Sequence, residues 1–414
     1  MDTRAQNLLT SLFEAAIKAA DPLEALVSHL PAPPKGRTVV IGAGKGAAQM
    51  AAALEQLWDA PLTGTVVTRY GFGAATQHIK VLEASHPVPD AAGLAATEAL
   101  IAELTNLTTD DLVIALVCGG GSSLLAAPAD GLTLEDEQAL NQTLLASGAP
   151  IGAMNAIRKM FSRVKGGRLI ANTAAPVVSL IVSDVPGDDP AQVASGPTVP
   201  CASGRKEALA AVARYNIALP PRLAAYLATA PAPPKPTDRA FLKNEVHVIA
   251  SAARSLAAAA DIAKAEGWPV DILGDDLQGE ARILGTEHAA LALAAKGPRL
   301  ILSGGETTVT LQGKGGHGGR NTEYLLALAL AIKGAAHINA LAADTDGIDG
   351  SEDNAGAFAT GQTAAAMRNA GIDPAAALAA NDAYTAFAAA DALFVTGPTG
   401  TNVNDFRAIL IGWP

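Results

Sequence analysis

The sequence predicts an α/β fold built as two domains. Short apolar, strand-like runs alternate with helical stretches, several of those runs end in glycine-rich turns, and a proline-dense segment divides the chain. Half of the 414 residues are hydrophobic and only 4% are aromatic, which suits Ala-rich helices packed on sheets of Val, Ile and Leu. A chain of this length exceeds what one core usually holds.

Near the N-terminus Leu8, Leu9, Leu12, Phe13 and Ile17 give an amphipathic first helix, and Pro31-Ala-Pro-Pro34 ends that region. Residues 38–41 then read as a buried strand, Gly42-Ala-Gly-Lys-Gly46 as a turn, and the stretch from Ala47 through Leu57 as a helix. The same order returns at 112–117 with Cys118-Gly-Gly-Gly-Ser-Ser123, and at 300–302 with Ser303-Gly-Gly305. Further strands are expected at 64–68, 177–182, 245–250, 340–342 and 392–395. Such alternation points to largely parallel sheets whose loops at the carboxyl ends of strands hold ligands. Pro231-Ala-Pro-Pro-Lys-Pro236 forbids helix and interior strand alike. It sets the expected boundary between domains 1–235 and 236–414, with the active site in the cleft between them.

Composition excludes several classes. A net charge of −11, from 29 Lys+Arg against 40 Asp+Glu, leaves no broad basic footprint for nucleic acid. Cys118 and Cys201 are too few for a disulfide framework or a zinc site, which fits a reducing, cytoplasmic setting. The N-terminus does not resemble a signal peptide. The most apolar run, 325–332, falls short of the ~20 residues that span a membrane.

Against that acidic background, cations inside glycine loops stand out. Gly313, Gly315, Gly316, Gly318 and Gly319, with Lys314, His317 and Arg320, precede a buried helical run from Tyr324. A glycine run feeding a helix N-terminus reads as a phosphate-handling loop. Gly42-x-Gly44-x-x-Ala47 resembles a dinucleotide fingerprint, yet the second strand closes on Thr68-Arg69-Tyr70 where NAD would want an acid. Lys45 is a cation inside that turn, and a plain tight turn with a solvated lysine explains it equally well. A P-loop is not supported, because Val39 and Gly46 stand where it needs Gly and Ser or Thr.

Gly119, Gly120, Gly121, Ser122 and Ser123 can form an anion nest. Arg158, Ser162 and Lys165 share a helical face that is either solvated or meets an anion. Asp184, Asp188 and Asp189 follow a strand, Glu306 lies beside a second glycine turn, and Asp344, Asp346 and Asp349 add carboxylates of the kind Mg²⁺ takes one or two of. His86 and His317 are expected to be hydrogen-bonded structural residues. Thr396-Gly-Pro-Thr-Gly-Thr-Asn-Val-Asn404 reads as a cleft wall or an ordinary turn.

Taken together, Gly42-Ala-Gly-Lys-Gly46, Cys118-Gly-Gly-Gly-Ser-Ser123, Ser183-Asp-Val-Pro-Gly-Asp188, Ser303-Gly-Gly-Glu306, Gly318-Gly-Arg-Asn-Thr-Glu323, Asp344-Thr-Asp-Gly-Ile-Asp-Gly350 and Thr396-Gly-Pro-Thr-Gly-Thr-Asn-Val403 resemble the class II glycerate 2-kinases. The resemblance implies an N-terminal Rossmann-like domain, its mostly parallel sheet covered by helices on both faces, and a smaller C-terminal α/β domain called MOFRL. It further implies transfer of the ATP γ-phosphoryl to the 2-hydroxyl of D-glycerate with Mg²⁺, and matches Lys45 and Arg320 to the family's proposed catalytic cations.

On that footing Lys45 and Arg320 bracket the γ-phosphoryl, while Gly44, the 119–123 turn, Gly318 and Gly319 contact nucleotide phosphates. Asp184 accepts the hydroxyl proton or holds Mg²⁺, with Asp189 and Glu306 as further metal candidates. The glycerate carboxylate goes to Lys45, Arg158 or Arg320. ATP and D-glycerate are then the partners of a monomer or homodimer, with no nucleic acid and no membrane. The rivals are an NAD(P)H-dependent hydroxypyruvate reductase and a non-catalytic sensor of a phosphorylated metabolite.

Overall fold

Runs of Val, Ile and Leu without polar interruption cannot face water on either side, so they make strands covered on both faces. Six strands form one sheet, with β4 the purest such run: β1 (Thr38–Ala43), β2 (Leu62–Arg69), β3 (Ile79–Ala84), β4 (Leu112–Cys118), β5 (Val177–Val182) and β6 (Glu245–Ala250). Their order is β3-β2-β1-β4-β5-β6, and β1 to β5 pair parallel throughout. Every residue of β1, β4 and β5 is buried. Ala96 and Leu100, from the helix Ala91–Glu103, pack with Val39, Ile41, Val113 and Ala115 in one core. The order reverses between β1 and β4, the point of such a sheet where ligands bind outside the carboxyl ends of the strands.

This computed structural model describes residues 1–311 and 315–413. The sheet belongs to a unit spanning Pro22–Ile249; a second unit combines Met1–Asp21 with the chain from Ala250 onward. In the second unit β7 (Val270–Ile272), β9 (Arg299–Ser303), β11 (Ile338–Asp344), β12 (Gly356–Thr360), β13 (Leu393–Phe394) and β14 (Asp405–Ile411) form a sheet in the order β13-β12-β11-β14-β9-β7. A separate parallel pair joins β8 (Leu277–Glu280) to β10 (Gly305–Thr308). One face of the six-stranded sheet carries Leu300, Leu341, Phe358 and Phe406; the other packs Ile301, Ala340, Ile409 and Ile411 against Tyr324, Leu325 and Leu328 of the helix Arg320–Ala331.

Three expectations change. The second sheet is mainly antiparallel, with β14 between β11 and β9 and only β7 parallel to β9. The proline segment does not end the first unit: after it the chain returns to add β6 at the sheet edge, so the division falls near Ala250 and not at 235. Prolines stop a helix or strand locally but do not stop the chain from rejoining its sheet.

The first helix, Thr3–Ala19, belongs to the later unit as well. Its apolar stripe of Leu8, Leu9, Leu12 and Phe13 lies in the core of the second sheet, with the Phe13 ring edge-on to Phe394 at 5.1 Å and 89°. Removing a buried Phe side chain costs about 3–5 kcal/mol. Phe13→Ala should therefore cut hydrogen-exchange protection in β11 and β14 while leaving β1 and β4 protected; equal loss in both sets would refute the assignment of the first helix.

Candidate active site

In the first unit the predicted loops gather at the carboxyl edge of the parallel sheet. Arg69 closes β2, Lys45 follows β1, Gly119 to Ser123 follow β4, and Asp184 follows β5. Glycine is required where β1 meets β4. A side chain on Gly44, at φ 142°, would come within 2.3 Å of Cys118 Sγ. That close approach lets the two loops bond directly: Lys45 N–H donates to the Gly119 carbonyl at 2.8 Å and Gly46 N–H to Cys118 Sγ at 3.2 Å. Burial pushes the Cys118 thiol up to about 12, so it is an acceptor for that amide and not a nucleophile.

The turn itself is crowded on both sides. A Cβ at Gly119 would collide with the Asp184 carboxylate at 2.0 Å, and one at Gly120 would meet Lys45 Cγ at 3.0 Å and His86 Nε2 at 3.1 Å. Lys45, His86 and Asp184 therefore surround the glycine turn. His86 corrects an expectation: its ring makes no hydrogen bond among the described residues, whereas His317 is bonded to Glu352 at 2.9 Å as a structural histidine would be. Burial, reinforced by the Lys45 and Arg69 charges, lowers His86 to about 4. Arg69 stands over the Phe72 ring at 3.4 Å.

Ser122 and Ser123 differ in role. Ser123 donates back to the Gly120 carbonyl at 3.2 Å, while Ser122 contacts the Ser195 hydroxyl at 2.8 Å. Arg158 is not on a solvated face. Its guanidinium donates to Asn141 Oδ1 at 3.1 Å and Asn155 Oδ1 at 3.2 Å, in a recess that Ser122, Glu137 and Lys165 also line.

In the second unit Arg320 is the first residue of its helix, and three carboxylates converge on it. Nε donates to Asp405 at 2.6 Å and Nη2 to Asp344 at 2.5 Å, while Nη1 lies 3.4 Å from the exposed Glu306. Burial works against its charge, but Asp405 and Asp344 outweigh it and hold the guanidinium pKa above its ordinary value. Asp405, wholly buried, also accepts from Asn321 Nδ2 at 2.8 Å and pairs with buried Arg407. Burial raises Asp344 well above the usual carboxylate range, with Arg320 opposing and Asp346 and Asp405 adding to the rise.

The helix start is already occupied. Asn321 and Thr322 donate their N–H groups to Asp349 at 2.9 and 2.8 Å, and Gly319 N–H donates to Thr322 Oγ1 at 3.0 Å. A Cβ on Gly319 would strike Asp349 Oδ1 at 2.3 Å. Gly319 therefore serves close passage of its own carboxylate rather than presenting amides to phosphate, and Gly318, at φ 145°, makes the turn before it. Gly313 and Lys314 lie outside the described residues.

The metal candidates separate too. Asp189 accepts from Ala191 N–H at 3.0 Å and Gln192 Nε2 at 3.3 Å, and Glu306 faces Arg320. Among the described residues no three His, Cys, Asp or Glu side chains gather closely enough to hold a metal ion, and no helix is long and apolar enough to cross a membrane.

A domain of unknown function, DUF4147, matches residues 8–228, and the MOFRL family matches residues 299–405. The chain is 36% identical over 416 residues to the D-glycerate 2-kinase of Thermotoga maritima, covering 98% of each. It belongs to the glycerate 2-kinase family. A provisionally named hydroxypyruvate reductase of Agrobacterium vitis is 51% identical, over 99% of this chain and 95% of its own. The crystal structure of the Thermotoga maritima glycerate kinase matches with a TM-score of 0.88 at 34% identity, covering 99% of both chains.

For a member of the glycerate 2-kinase family, the residues that sequence reasoning passed over are Asp405 and Arg407, while His86 is read from sequence only as a structural residue. No motif marks Asp405 and Arg407; they are placed by β14, whose position only the fold gives. His86 yields a test of its surroundings. Its folded pKa, about 4, lies below the ordinary 6.5 or so, so its contribution to stability is present above pH ~6.5 and is lost as pH falls through ~4. NMR titration should place the imidazole midpoint near 4; a midpoint near the ordinary value would mean that the ring is neither buried nor faced by Lys45 and Arg69.

Proposed function

We infer that this chain transfers the γ-phosphoryl of ATP to the 2-hydroxyl of D-glycerate, giving 2-phospho-D-glycerate and ADP. The observation that carries the reading is full-length likeness to a D-glycerate 2-kinase in sequence, matched by likeness in fold to a glycerate kinase. The chemistry of the two loop systems supports it. Phosphoryl transfer asks for alignment and for neutralisation of charge on the moving group, and Lys45 and Arg320 are the cations assigned to that task.

Arg320 suits it because its partners are unequal. Asp405 and Asp344 are buried and fix the guanidinium, whereas Glu306 is exposed and its contact is long. A phosphoryl oxygen can replace Glu306 without disturbing the other two, which makes Glu306 a partner of the resting arginine rather than a metal ligand. Asp184 is the remaining candidate for Mg²⁺. It offers one carboxylate, and Mg²⁺ commonly takes one or two carboxylates with phosphate oxygens supplying more. When bound, the ion would neutralise phosphate charge. A cytoplasmic setting fits two cysteines that are both free and buried.

The reductase reading meets one obstacle. The amides of Lys45 and Gly46, where a dinucleotide pyrophosphate would sit, are already bonded to Gly119 and Cys118. Arg69, where NAD would want an acid, leaves that reading only NADP with its 2′-phosphate.

Incubation with Mg·ATP and D-glycerate should yield 2-phosphoglycerate by NMR. Lys45→Ala and Arg320→Lys should each lower kcat by about 10²-fold or more, as loss of a charge-stabilising donor does, with unchanged circular dichroism. Product at the 3-position, or NAD(P)H consumed with hydroxypyruvate in the absence of ATP, would defeat this assignment.

A further inference from the structure

The left-handed backbone region is disfavoured for residues with a Cβ, yet Ala194 and Ser195 adopt it in succession, at φ 51° and 61°, just before Gly196. The result is a fully buried Ser195 hydroxyl held between two other side chains. Ser195 Oγ lies 2.8 Å from Ser122 Oγ and 2.9 Å from Asn155 Oδ1. Strained backbone that survives in a fold is a pointer toward function, and here the proton directions say which.

The network has one consistent polarity. Asn155 Nδ2 donates to the Gln192 carbonyl at 3.1 Å, and Arg158 Nη1, which can only donate, reaches Asn155 Oδ1 at 3.2 Å. Those two contacts fix the amide orientation. Oδ1 is therefore an acceptor, and the single Ser195 proton must point to it; otherwise two lone pairs would meet at 2.9 Å. Ser195 has no proton left for Ser122, so Ser122 is the donor in their contact. Its Oγ then presents only lone pairs elsewhere.

That outcome reverses the expected part of Ser122 as an anion donor. The recess it lines contains a second uncommitted acceptor, the buried Glu137 Oε2, which has no hydrogen-bond partner. Arg158 lines the same recess and Lys165, 2% exposed, pairs with Glu137 Oε1 at 2.8 Å; each keeps donors beyond those already bonded. The space suits roughly one water-sized group. A group that both donates and accepts fits it, which describes a hydroxyl better than an anion or a cation.

Resting on the glycerate kinase reading, we propose that this recess receives the non-reacting 3-hydroxyl of the acceptor, its one proton going to Ser122 Oγ and its lone pairs to the donors of Arg158 and Lys165, with Ser195 as the residue that sets Ser122. The reacting 2-hydroxyl must stay open to the incoming phosphoryl group in line. A terminal hydroxyl can end in a closed recess; the reacting one cannot.

The test compares D-glycerate with D-lactate, the same acid without the 3-hydroxyl, in wild type, Ser122→Ala and Ser195→Gly. Glycine takes φ 61° without strain, so the second variant removes the hydroxyl and spares the backbone. Calorimetric affinity for D-glycerate, and kcat/KM with it, should fall about 10-fold or more in both variants, since a site built to bond a hydroxyl depends on that bond. Affinities for D-lactate and ATPγS should not move.

Equal loss for D-glycerate and D-lactate would overturn the proposal. So would an unchanged D-glycerate affinity, which means a resident water only, or weakened ATPγS binding, which would return Ser122 to the phosphates. If wild type binds D-glycerate but transfers no phosphate, the kinase reading fails while the affinity comparison still decides the recess. Neutron diffraction gives a second reading: a deuteron on Ser122 Oγ aimed at Ser195 supports the polarity, and the reverse refutes it.

Discussion

Everything at the first unit's ligand edge depends on one steric fact: β1 can pass beside Cys118 only because residue 44 has no side chain. That contact draws the β1 loop onto the β4 loop, where the Lys45 and Gly46 amides find partners in Gly119 and Cys118. The parallel sheet then does what its strand order dictates. With β1 and β4 adjacent and their connections leaving in opposite directions, the loops after β1, β4 and β5 share one edge. Lys45 and Asp184 meet around Gly119 and Gly120 although they lie 139 positions apart in the chain. A glycine motif that reads like a nucleotide fingerprint is thus first a packing device between neighbouring strands.

The second unit solves a different problem, since it must hold a buried arginine in place. Asp405 begins β14 and Arg407 lies two residues on, hence on the same face of the strand. Asp405 accepts from Arg320 and Asn321 on one oxygen and pairs with Arg407 through the other. Arg407 is itself held by the Gly304 carbonyl at 2.8 Å and lies over the Tyr324 ring at 5.3 Å. Such networks are costly to desolvate and gain little net stability, but breaking one by removing a single partner costs about 3–5 kcal/mol. Their product is geometric definition, which an enzyme needs where charge must be met at a fixed point.

How far the sequence discloses this depends on the kind of signal each part leaves. The strands at 38–43, 112–118 and 177–182 are apolar runs broken by no polar residue but Thr38 and Ser179, and the helix ending at Leu57 comes after a glycine turn; local pattern suffices for these. β14 is hidden because Asp405 and Arg407 interrupt its apolar run, and their burial is explained only by Arg320, some 85 residues away in the chain. The first helix is plain from its stripe, but its unit is not, because an amphipathic pattern says that a face is buried and not against what. Lys45 and Arg320 are legible as cations amid glycines. Ser195 is not, since its meaning lies in a left-handed backbone and two distant side chains.

The same distinction governs how Arg320 can be probed. Deleting its guanidinium leaves Asp344 and Asp405 facing each other and Asp346 in a buried space, where burial already raises Asp344. A loss of activity in Arg320→Ala would therefore mix two causes: absent charge at the phosphoryl group and a carboxylate cluster relieved by taking up protons or by moving apart. Lysine keeps the positive charge but cannot make the fork of bonds that Nε and Nη2 make to two carboxylates. It separates the causes, because charge balance survives while geometry does not. If fixed geometry is what the buried carboxylates provide, Arg320→Lys is the variant that keeps the fold and loses the chemistry.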